Sequence, residues 1–236
     1  MQALVRFSAT LARAIIPEAL RASWLYQSAR HTFMPHDLDY NYNYYVRDVE
    51  TPASQGAVVM ARSITDFFKP KTVIDVGCGT GALLASFRDL GCDVQGLEYA
   101  SAGIELCETR GLPVLKFNIE RDSFTEPGSF DIAVSFEVAE HLPSWSANRY
   151  VALLCRLAPV VVMSAARPGQ AGTDHLNLQS PAYWIKKFAE LGCKFEEDVR
   201  DQFSKQWHAA GVAGFYSKNL LVFSRLTTGS AARSTY

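Results

Sequence analysis

The stretch from Val73 to Gly81 constrains the fold more than any other part of the chain. It reads V-I-D-V-G-C-G-T-G, an apolar segment typical of a buried strand that ends in an acid and runs into three glycines. Glycine has no Cβ, so the backbone at positions 77, 79 and 81 can turn tightly and approach a ligand closely. A helical pattern follows over 82–90, and the first turn of a helix offers unpaired amides. The sequence therefore predicts a strand–loop–helix unit that binds a nucleotide-like cofactor.

The glycine spacing alone is compatible with two kinds of cofactor. Gly77, Gly79 and Ala82 satisfy the G-x-G-x-x-G/A pattern of dinucleotide-binding oxidoreductases. Asp75 places an acid two residues before the first glycine, where a pyrophosphate would gain little and a cationic ligand would gain much. The acid favours a cofactor that carries a positive group.

The segment Asp75 to Gly81, D-V-G-C-G-T-G, resembles the first motif of the class I S-adenosylmethionine-dependent methyltransferases, D-x-G-C-G-T-G. The resemblance continues at Gly96-Leu97-Glu98, at Phe117-Asn118-Ile119 and on the strand-like run 130–135. It implies a Rossmann-like α/β fold: a seven-stranded, mostly parallel sheet with helices on both faces. In that fold the last strand inserts antiparallel beside the sixth.

The resemblance also implies which residues bind S-adenosylmethionine (SAM). Gly77 and Gly79 would lie along the methionine and the ribose, Glu98 would accept from the ribose hydroxyls, and Asn118 with Ile119 would border the adenine. The role of Glu98 has independent support, because a carboxylate about 20 residues past the glycine loop hydrogen-bonds the ribose diol in related α/β sites. The alternative for Glu98 is a solvated strand end. The complete set assigned to the cofactor is Asp75, Gly77, Cys78, Gly79, Gly81, Glu98, Tyr99, Asn118, Ile119 and Phe136.

Strand and helix patterns alternate along the middle of the chain, as expected for a parallel sheet wrapped by helices. Ser101 is predicted to cap one helix and Ser180 another, with Leu191 on the buried face of the second. Later strands are predicted over 114–117, 130–136, 160–163, 194–199 and 220–225. Trp207 falls in the predicted linker before the last strand, where it either stacks on a sugar ring or packs in the core.

Two polar segments follow predicted strands, at the edge of the sheet where open α/β proteins bind ligands. Glu137, Glu140 and His141 come after the fourth strand, and they share one face if Glu137 begins a helical turn. His175, in the loop over 167–179 after the fifth strand, would complete the group. This E-x-x-E-H arrangement resembles the metal site of small-RNA 2′-O-methyltransferases and ubiquinone-pathway O-methyltransferases, which implies these four residues as metal ligands.

Three interpretations of this group stay open. A divalent cation such as Mg²⁺ would hold neighbouring oxygens of an acceptor and lower its pKa, although Mg²⁺ prefers oxygen ligands. His141 or His175 would otherwise act as a general base without a metal. In a purely structural role the two acids would favour a helix N-terminus and His141 would pack.

The loop over 167–179 is similar to that of methyltransferases from bacterial polysaccharide and secondary-metabolite pathways, which implies a small polyhydroxylated acceptor. The sequence thus predicts a SAM-dependent O-methyltransferase. The alternatives are an NAD(P)-dependent Rossmann oxidoreductase and a non-catalytic SAM-binding partner protein.

Composition limits the partners and the compartment. A net charge of -1 and a pI near 6.5 give no electrostatic reason to bind nucleic acid. The five cysteines lack C-x-x-C spacing, which favours reduced thiols and a cytoplasmic location. The chain contains no apolar run long enough to predict a membrane span. The sequence does not determine the oligomeric state.

We expect three regions: an N-terminal helical cap with a Tyr-rich lid (1–50), a methyltransferase domain (51–226) and a loose tail (227–236). Arginines recur beside apolar residues in the first 30 positions, as in an amphipathic basic helix. Such a helix is compatible with a targeting peptide, an interfacial membrane helix or a cap on the domain. The lid contains Tyr40, Tyr42, Tyr44 and Tyr45. Three arrangements are compatible with these tyrosines: a short strand, a loop that covers a sugar or a cofactor edge, or simple packing of the cap onto the core.

Overall fold

The computed structural model describes Leu20, Ser23, Leu25 and residues 40–124, 130–172 and 174–226. The expectations of a basic amphipathic helix before the lid and of a loose tail over 227–236 concern residues that lie outside these ranges, apart from the three isolated positions. Within the described ranges, no helix has the length and apolar character that crossing a membrane requires.

Seven strands form one sheet in the order β3-β2-β1-β4-β5-β7-β6. The strands are β1 Thr72–Val76, β2 Asp93–Glu98, β3 Val114–Lys116, β4 Ile132–Phe136, β5 Val160–Ser164, β6 Cys193–Phe195 and β7 Leu220–Arg225. Strands β1 to β5 pair in parallel, and β7 lies antiparallel between β5 and β6. The structure confirms the predicted Rossmann-like α/β fold, including the inserted last strand.

Helices cover both faces of the sheet. They are α1 Glu50–Phe68, α2 Ala82–Asp89, α3 Ser101–Thr109, α4 Ala147–Leu157, α5 Pro181–Glu190, α6 Glu197–Ala209 and α7 Gly214–Asn219. Leu154 and Trp184 belong to the hydrophobic cluster under α4 and α5, whereas Ile64 and Phe203 belong to the cluster under α1 and α6. Because both faces are covered, strands such as V-V-V-M in β5 are apolar almost throughout.

Two predictions about helix termini have different outcomes. Ser180 caps α5, since its hydroxyl accepts from the amide of Tyr183. Ser101 does not cap α3: it is the first residue of that helix, and Ala100 occupies the N-cap position. The amide of Ala100 donates to the carboxylate of Glu98, so an acid from the preceding strand fixes the chain before this helix.

The region after β6 differs most from the sequence prediction. The strand expected over 194–199 ends at Phe195, and the expected linker is helix α6. Trp207 of α6 is fully buried, and its indole N–H donates to the hydroxyl of Ser63 at 3.0 Å. It therefore packs in the core and does not face a sugar. Leu191, expected on the buried face of α5, is 46% exposed because the helix ends one residue earlier.

Candidate active site

A cavity of about 480 Å³ lies at the carboxyl ends of β1, β2, β3 and β4. A second cavity of about 60 Å³ adjoins it, and Gly77, Gly79 and Phe136 line both. Loops that follow parallel strands meet at this edge of an open α/β sheet, where such proteins bind ligands. The residues assigned to the cofactor that line the main cavity are Gly77, Gly79, Glu98, Tyr99, Asn118, Ile119 and Phe136.

The glycine loop has the backbone that its sequence predicts. Gly77, Gly79 and Gly81 have φ angles of +76°, +57° and +76°, a region that residues with a Cβ rarely adopt. A Cβ on Gly77 would lie 2.6 Å from a methyl carbon of Val138, whereas one on Gly79 would meet nothing closer than 3.6 Å. A Cβ at Gly79 would therefore lie at ordinary van der Waals distance from Val49 and Tyr45. Gly81 is the N-cap of α2, so its role is to turn the chain rather than to line the cavity.

Glu98 ends β2 beside this loop and is only 7% exposed. Its Oε1 atom accepts from the amides of Tyr99 at 2.7 Å and Ala100 at 2.9 Å, and its Oε2 atom accepts from the amide of Gly79 at 2.9 Å. Burial raises the pKa of Glu98 above its ordinary value, while these amide donors act in the opposite direction. Glu98 is not a solvated strand end. It is a fixed acceptor at the cavity wall.

Asp75 lines the smaller cavity together with Cys78, beneath the glycine loop. The side chain is 4% exposed, and burial, with a smaller contribution from Glu98, raises the pKa of Asp75 to about 8. The sequence interpretation treats Asp75 as an anion, whereas the raised pKa favours the protonated carboxyl group near neutral pH in the ligand-free protein. A positive group placed beside it would lower that pKa and convert Asp75 to its charged form.

Asn118 holds a turn at the end of β3. Its side-chain oxygen accepts from the backbone amide of Glu120 at 2.8 Å, and its backbone amide donates to the carboxylate of Asp122 at 2.7 Å. The turn places Ile119 along the same wall of the cavity. The side-chain amide of Asn118 is thus held at a defined position on the cavity wall.

The tyrosine-rich segment lies over the main cavity. It is helical, with a turn over Tyr42–Tyr44 followed by a π-helical stretch over Tyr45–Val49, so the expected strand or loop is wrong. Tyr40, Tyr44 and Tyr45 line the cavity, and the hydroxyl of Tyr45 donates to Glu98 at 3.4 Å. These tyrosines form part of the cavity wall, and their role as a lid over a cofactor stays a prediction.

A second group of side chains lines the same cavity. Glu140, His141 and His175 each offer a ligand atom, and these atoms lie within 4.8 Å of one another. Glu140 is fully buried, and its carboxyl lies beside the Glu137 carboxyl and the backbone of Ala166, without a well-aligned donor at either oxygen among the described residues. Burial and the neighbouring Glu137 carboxylate raise the pKa of Glu140 well above its ordinary value. Two adjacent buried carboxyls beside two imidazoles are suited to binding a cation, which would offset the repulsion between the carboxylates.

Hydrogen bonds orient both imidazoles. The Nδ1 atom of His141 lies 3.0 Å from the hydroxyl of Tyr40 and 3.3 Å from the carbonyl oxygen of Asp174. The Nδ1 atom of His175 lies 3.1 Å from the carbonyl oxygen of Gln170, and the two rings meet edge to face at 5.2 Å. The contacts of Tyr40 and Gln170 were not predicted from the sequence, since they join segments that lie far apart or within an irregular loop.

Glu137 does not share a face with Glu140 and His141, so that expectation is wrong. Its φ of +52° is left-handed, and the helical turn of this segment covers only Ala139–His141. The carboxylate accepts from Ser164 at 2.7 Å, from Gln170 at 2.9 Å and from Asn219 at 3.1 Å. These donors hold the Glu137 carboxylate beside the Glu140 carboxyl, but Glu137 is not among the residues whose ligand atoms lie within 4.8 Å of one another.

Comparisons with known proteins identify the family of this chain. The sequence profile of a family described as a methyltransferase domain matches residues 53–197. A ubiquinone biosynthesis O-methyltransferase from Albidiferax ferrireducens is 36% identical over 78 residues, which cover 30% of this chain and 31% of that protein. The chain thus matches about a third of the length of the curated relatives.

Two solved structures show the same fold. A SAM-bound amino pentose methyltransferase of calicheamicin biosynthesis from Micromonospora echinaspora has a TM-score of 0.56 at 19% identity, covering 77% of this chain and 94% of that one. A sugar N-methyltransferase from Streptoalloteichus has a TM-score of 0.59 at 18% identity, covering 78% and 92%. Because the family profile spans more than half of the sequence and the sheet has this topology, the chain belongs to the methyltransferase domain family, with the class I SAM-dependent methyltransferase fold.

Proposed function

We propose that the chain transfers the methyl group of SAM to a hydroxyl oxygen of a small polyhydroxylated acceptor. The observation that carries this proposal is the buried carboxylate of Glu98, joined to the amide of Gly79 at the wall of a cavity of about 480 Å³. A nucleoside diol fits such a fixed acceptor. The family membership supports SAM as the donor.

Asp75 favours a cofactor with a positive group over NAD(P). Its carboxyl is buried beside the glycine loop and has a pKa of about 8, so a nearby ammonium group stabilises the charged form. A pyrophosphate in the same place would oppose ionisation. This difference favours SAM over the oxidoreductase alternative.

Methyl transfer needs little covalent help from the protein. The acceptor oxygen attacks the methyl carbon, the carbon–sulfur bond breaks, and its electron pair stays on sulfur as the donor becomes S-adenosylhomocysteine. The protein must align oxygen, carbon and sulfur, and it must take the hydroxyl proton. His141 and His175 lie at the cavity wall with one nitrogen each oriented by a hydrogen bond, so an imidazole of this pair is the proposed base.

The same group fits a divalent cation. Glu140, His141 and His175 would hold it, and the approach of their ligand atoms to within 4.8 Å of one another around a buried carboxyl is the observation that favours it. One carboxylate and two imidazoles suit a first-row metal such as Mn²⁺ or Zn²⁺ better than Mg²⁺, which prefers oxygen ligands. When bound, the cation would bring two acceptor oxygens together and lower the pKa of the attacking hydroxyl.

The cavity lining suits a small acceptor with a ring and several hydroxyls. Tyr40, Tyr44 and Tyr99 offer flat apolar surfaces that end in hydrogen-bonding hydroxyls. Structural relatives include proteins described as sugar methyltransferases, and the curated relatives are described as ubiquinone biosynthesis O-methyltransferases. Both descriptions are compatible with an acceptor that carries neighbouring oxygens.

Isotope transfer tests this function. The purified chain is incubated with methyl-labelled SAM and small-molecule extract, and products are identified by mass spectrometry with and without a chelator. The expected result is a product that carries the labelled methyl group on an oxygen. The Glu98→Gln variant is expected not to form this product. Binding of SAM without label in any product would contradict catalysis and favour the non-catalytic alternative. Undiminished transfer after full chelation would exclude a role for the cation.

A further inference from the structure

Glu137 has a backbone conformation and a set of contacts that cofactor binding does not explain. Its left-handed φ of +52° is energetically costly for a residue with a side chain. In this conformation the carboxylate accepts from three donors while it lies beside the Glu140 carboxyl. Such a cost persists only where the surrounding structure holds the residue in place.

The three donors come from different parts of the fold. Ser164 ends β5, Asn219 ends α7, and Gln170 belongs to the loop after β5. Asn219 also donates to the side-chain oxygen of Gln170 at 2.7 Å. The side-chain amide of Gln170 is therefore held at both ends, its nitrogen by Glu137 and its oxygen by Asn219.

The backbone of Gln170 passes this constraint to His175. The carbonyl oxygen of Gln170 lies 3.1 Å from Nδ1 of His175, and a carbonyl only accepts. In the neutral imidazole Nδ1 therefore carries the proton, and Nε2 carries the lone pair that a base or a metal ligand needs. Gly172 lies against the same ring, where a Cβ would overlap it, so the loop is fitted to this ring position.

We propose that Glu137 is a positioning residue that, through Gln170, holds the His175 imidazole as its Nδ1–H tautomer. Only the chemical use of the Nε2 lone pair rests on the proposed methyl transfer. The geometric part concerns residues of this chain alone.

The tautomer of His175 is measured directly by two-bond ¹H–¹⁵N correlation on protein with ¹⁵N-labelled histidine, at a pH where imidazoles are neutral and without any acceptor. Comparison with a His175→Asn variant assigns the signal. Glu137→Gln and Gln170→Leu are each expected to lower the ratio of Nδ1–H to Nε2–H tautomer about 2- to 10-fold, the effect of weakening one hydrogen bond. The double variant is expected to lower it no further than the larger single change.

Gln179→Leu is the matched control, because Gln179 lies in the same loop but donates to Asn177 and not to Glu137. It is expected to leave the tautomer ratio unchanged. The proposal is overturned if Glu137→Gln leaves the ratio unchanged, if Gln170→Leu has no effect, or if the two effects add. If Glu137→Gln does not fold, Gln170→Leu decides alone. Calorimetry with S-adenosylhomocysteine on the same samples measures cofactor binding separately. Failure of the proposed function is therefore distinguished from failure of the positioning role of Glu137.

Discussion

The Oε2 atom of Glu98 accepts a hydrogen bond from the backbone amide of Gly79 at 2.9 Å, which joins the end of β2 to the glycine loop after β1. The amides of Gly77 and Cys78 also donate to the carbonyl of Leu97, the residue before Glu98. The loop and the carboxylate are thus held in a fixed relative position before any ligand arrives. Preorganisation of this kind lowers the cost of ordering a binding site.

Replacing Glu98 with Gln is predicted to weaken S-adenosylhomocysteine binding by about 10- to 100-fold. The amide has one acceptor oxygen instead of two, and the charged acceptor for the ribose diol is lost. Isothermal titration calorimetry measures the change. Asp93→Asn, at the exposed opposite end of β2, is the control and is expected to bind normally. Equal affinity of Glu98→Gln and the unchanged protein would exclude Glu98 from the site.

Replacing Gly77 with Ala is predicted to destabilise the protein by about 2–4 kcal/mol, because the φ of +76° and the contact with Val138 both oppose a Cβ. Gly91→Ala is the matched control: its φ is +88°, but a Cβ there meets nothing within 4 Å. It is expected to cost only about 1–2 kcal/mol. Urea denaturation measures both. If the two variants lose the same stability, the contact with Val138 does not restrict this position.

The ligand-free protein is predicted to lose stability as the pH rises from about 4 to about 8, in part because of Asp75. The unfolded carboxyl ionises near pH 4, whereas the native pKa is about 8, so the native state binds one more proton in this window. Asp75→Asn removes this contribution. The free energy of unfolding of the variant is therefore expected to fall less steeply with pH than that of the unchanged protein, and the two slopes are expected to differ by roughly 1 kcal/mol per pH unit. Urea midpoints at pH 6 and pH 8 measure the slope, with the exposed-acid variant Asp89→Asn as control. A slope unchanged in Asp75→Asn would show that Asp75 is ionised in the native protein.

Replacing Glu140 with Gln is predicted to separate stability from cation binding. Since burial raises the pKa of Glu140, the neutral amide is expected to be tolerated or stabilising at pH 8, where ionisation of the carboxyl is costly. Affinity for Mn²⁺, measured by electron paramagnetic resonance, is expected to fall by at least about 10-fold. Glu120→Gln, at the cavity rim, is expected to bind Mn²⁺ normally. If Glu140→Gln also binds Mn²⁺ normally, the cluster is not a cation site.

Local patterns were sufficient to predict most of the fold and the glycine loop at the cavity. The apolar strand before Asp75, the glycines and Ser180 act on residues a few positions away, so their structural roles are visible in sequence. Helix α6 was missed although Val199, Phe203 and Trp207 recur every four residues, the spacing of one helix face. That periodicity is a signal that the strand assignment overlooked.

The prediction of the cluster failed where distant contacts decide the conformation. The spacing of Glu137, Glu140 and His141 suits a helix, but hydrogen bonds from Ser164 and Asn219 hold Glu137 in a left-handed conformation. Those donors lie 27 and 82 residues away in sequence. Spacing along one segment carries no information about such partners.

Calorimetric titration of the purified protein with S-adenosylhomocysteine tests the central claim most directly. We predict saturable binding of one ligand per chain, with proton release near pH 7 that disappears in Asp75→Asn, because the amino group of the ligand lowers the pKa of Asp75. Absence of binding to both S-adenosylhomocysteine and SAM would contradict the assignment of the cavity beside Gly79 and Glu98 to this cofactor.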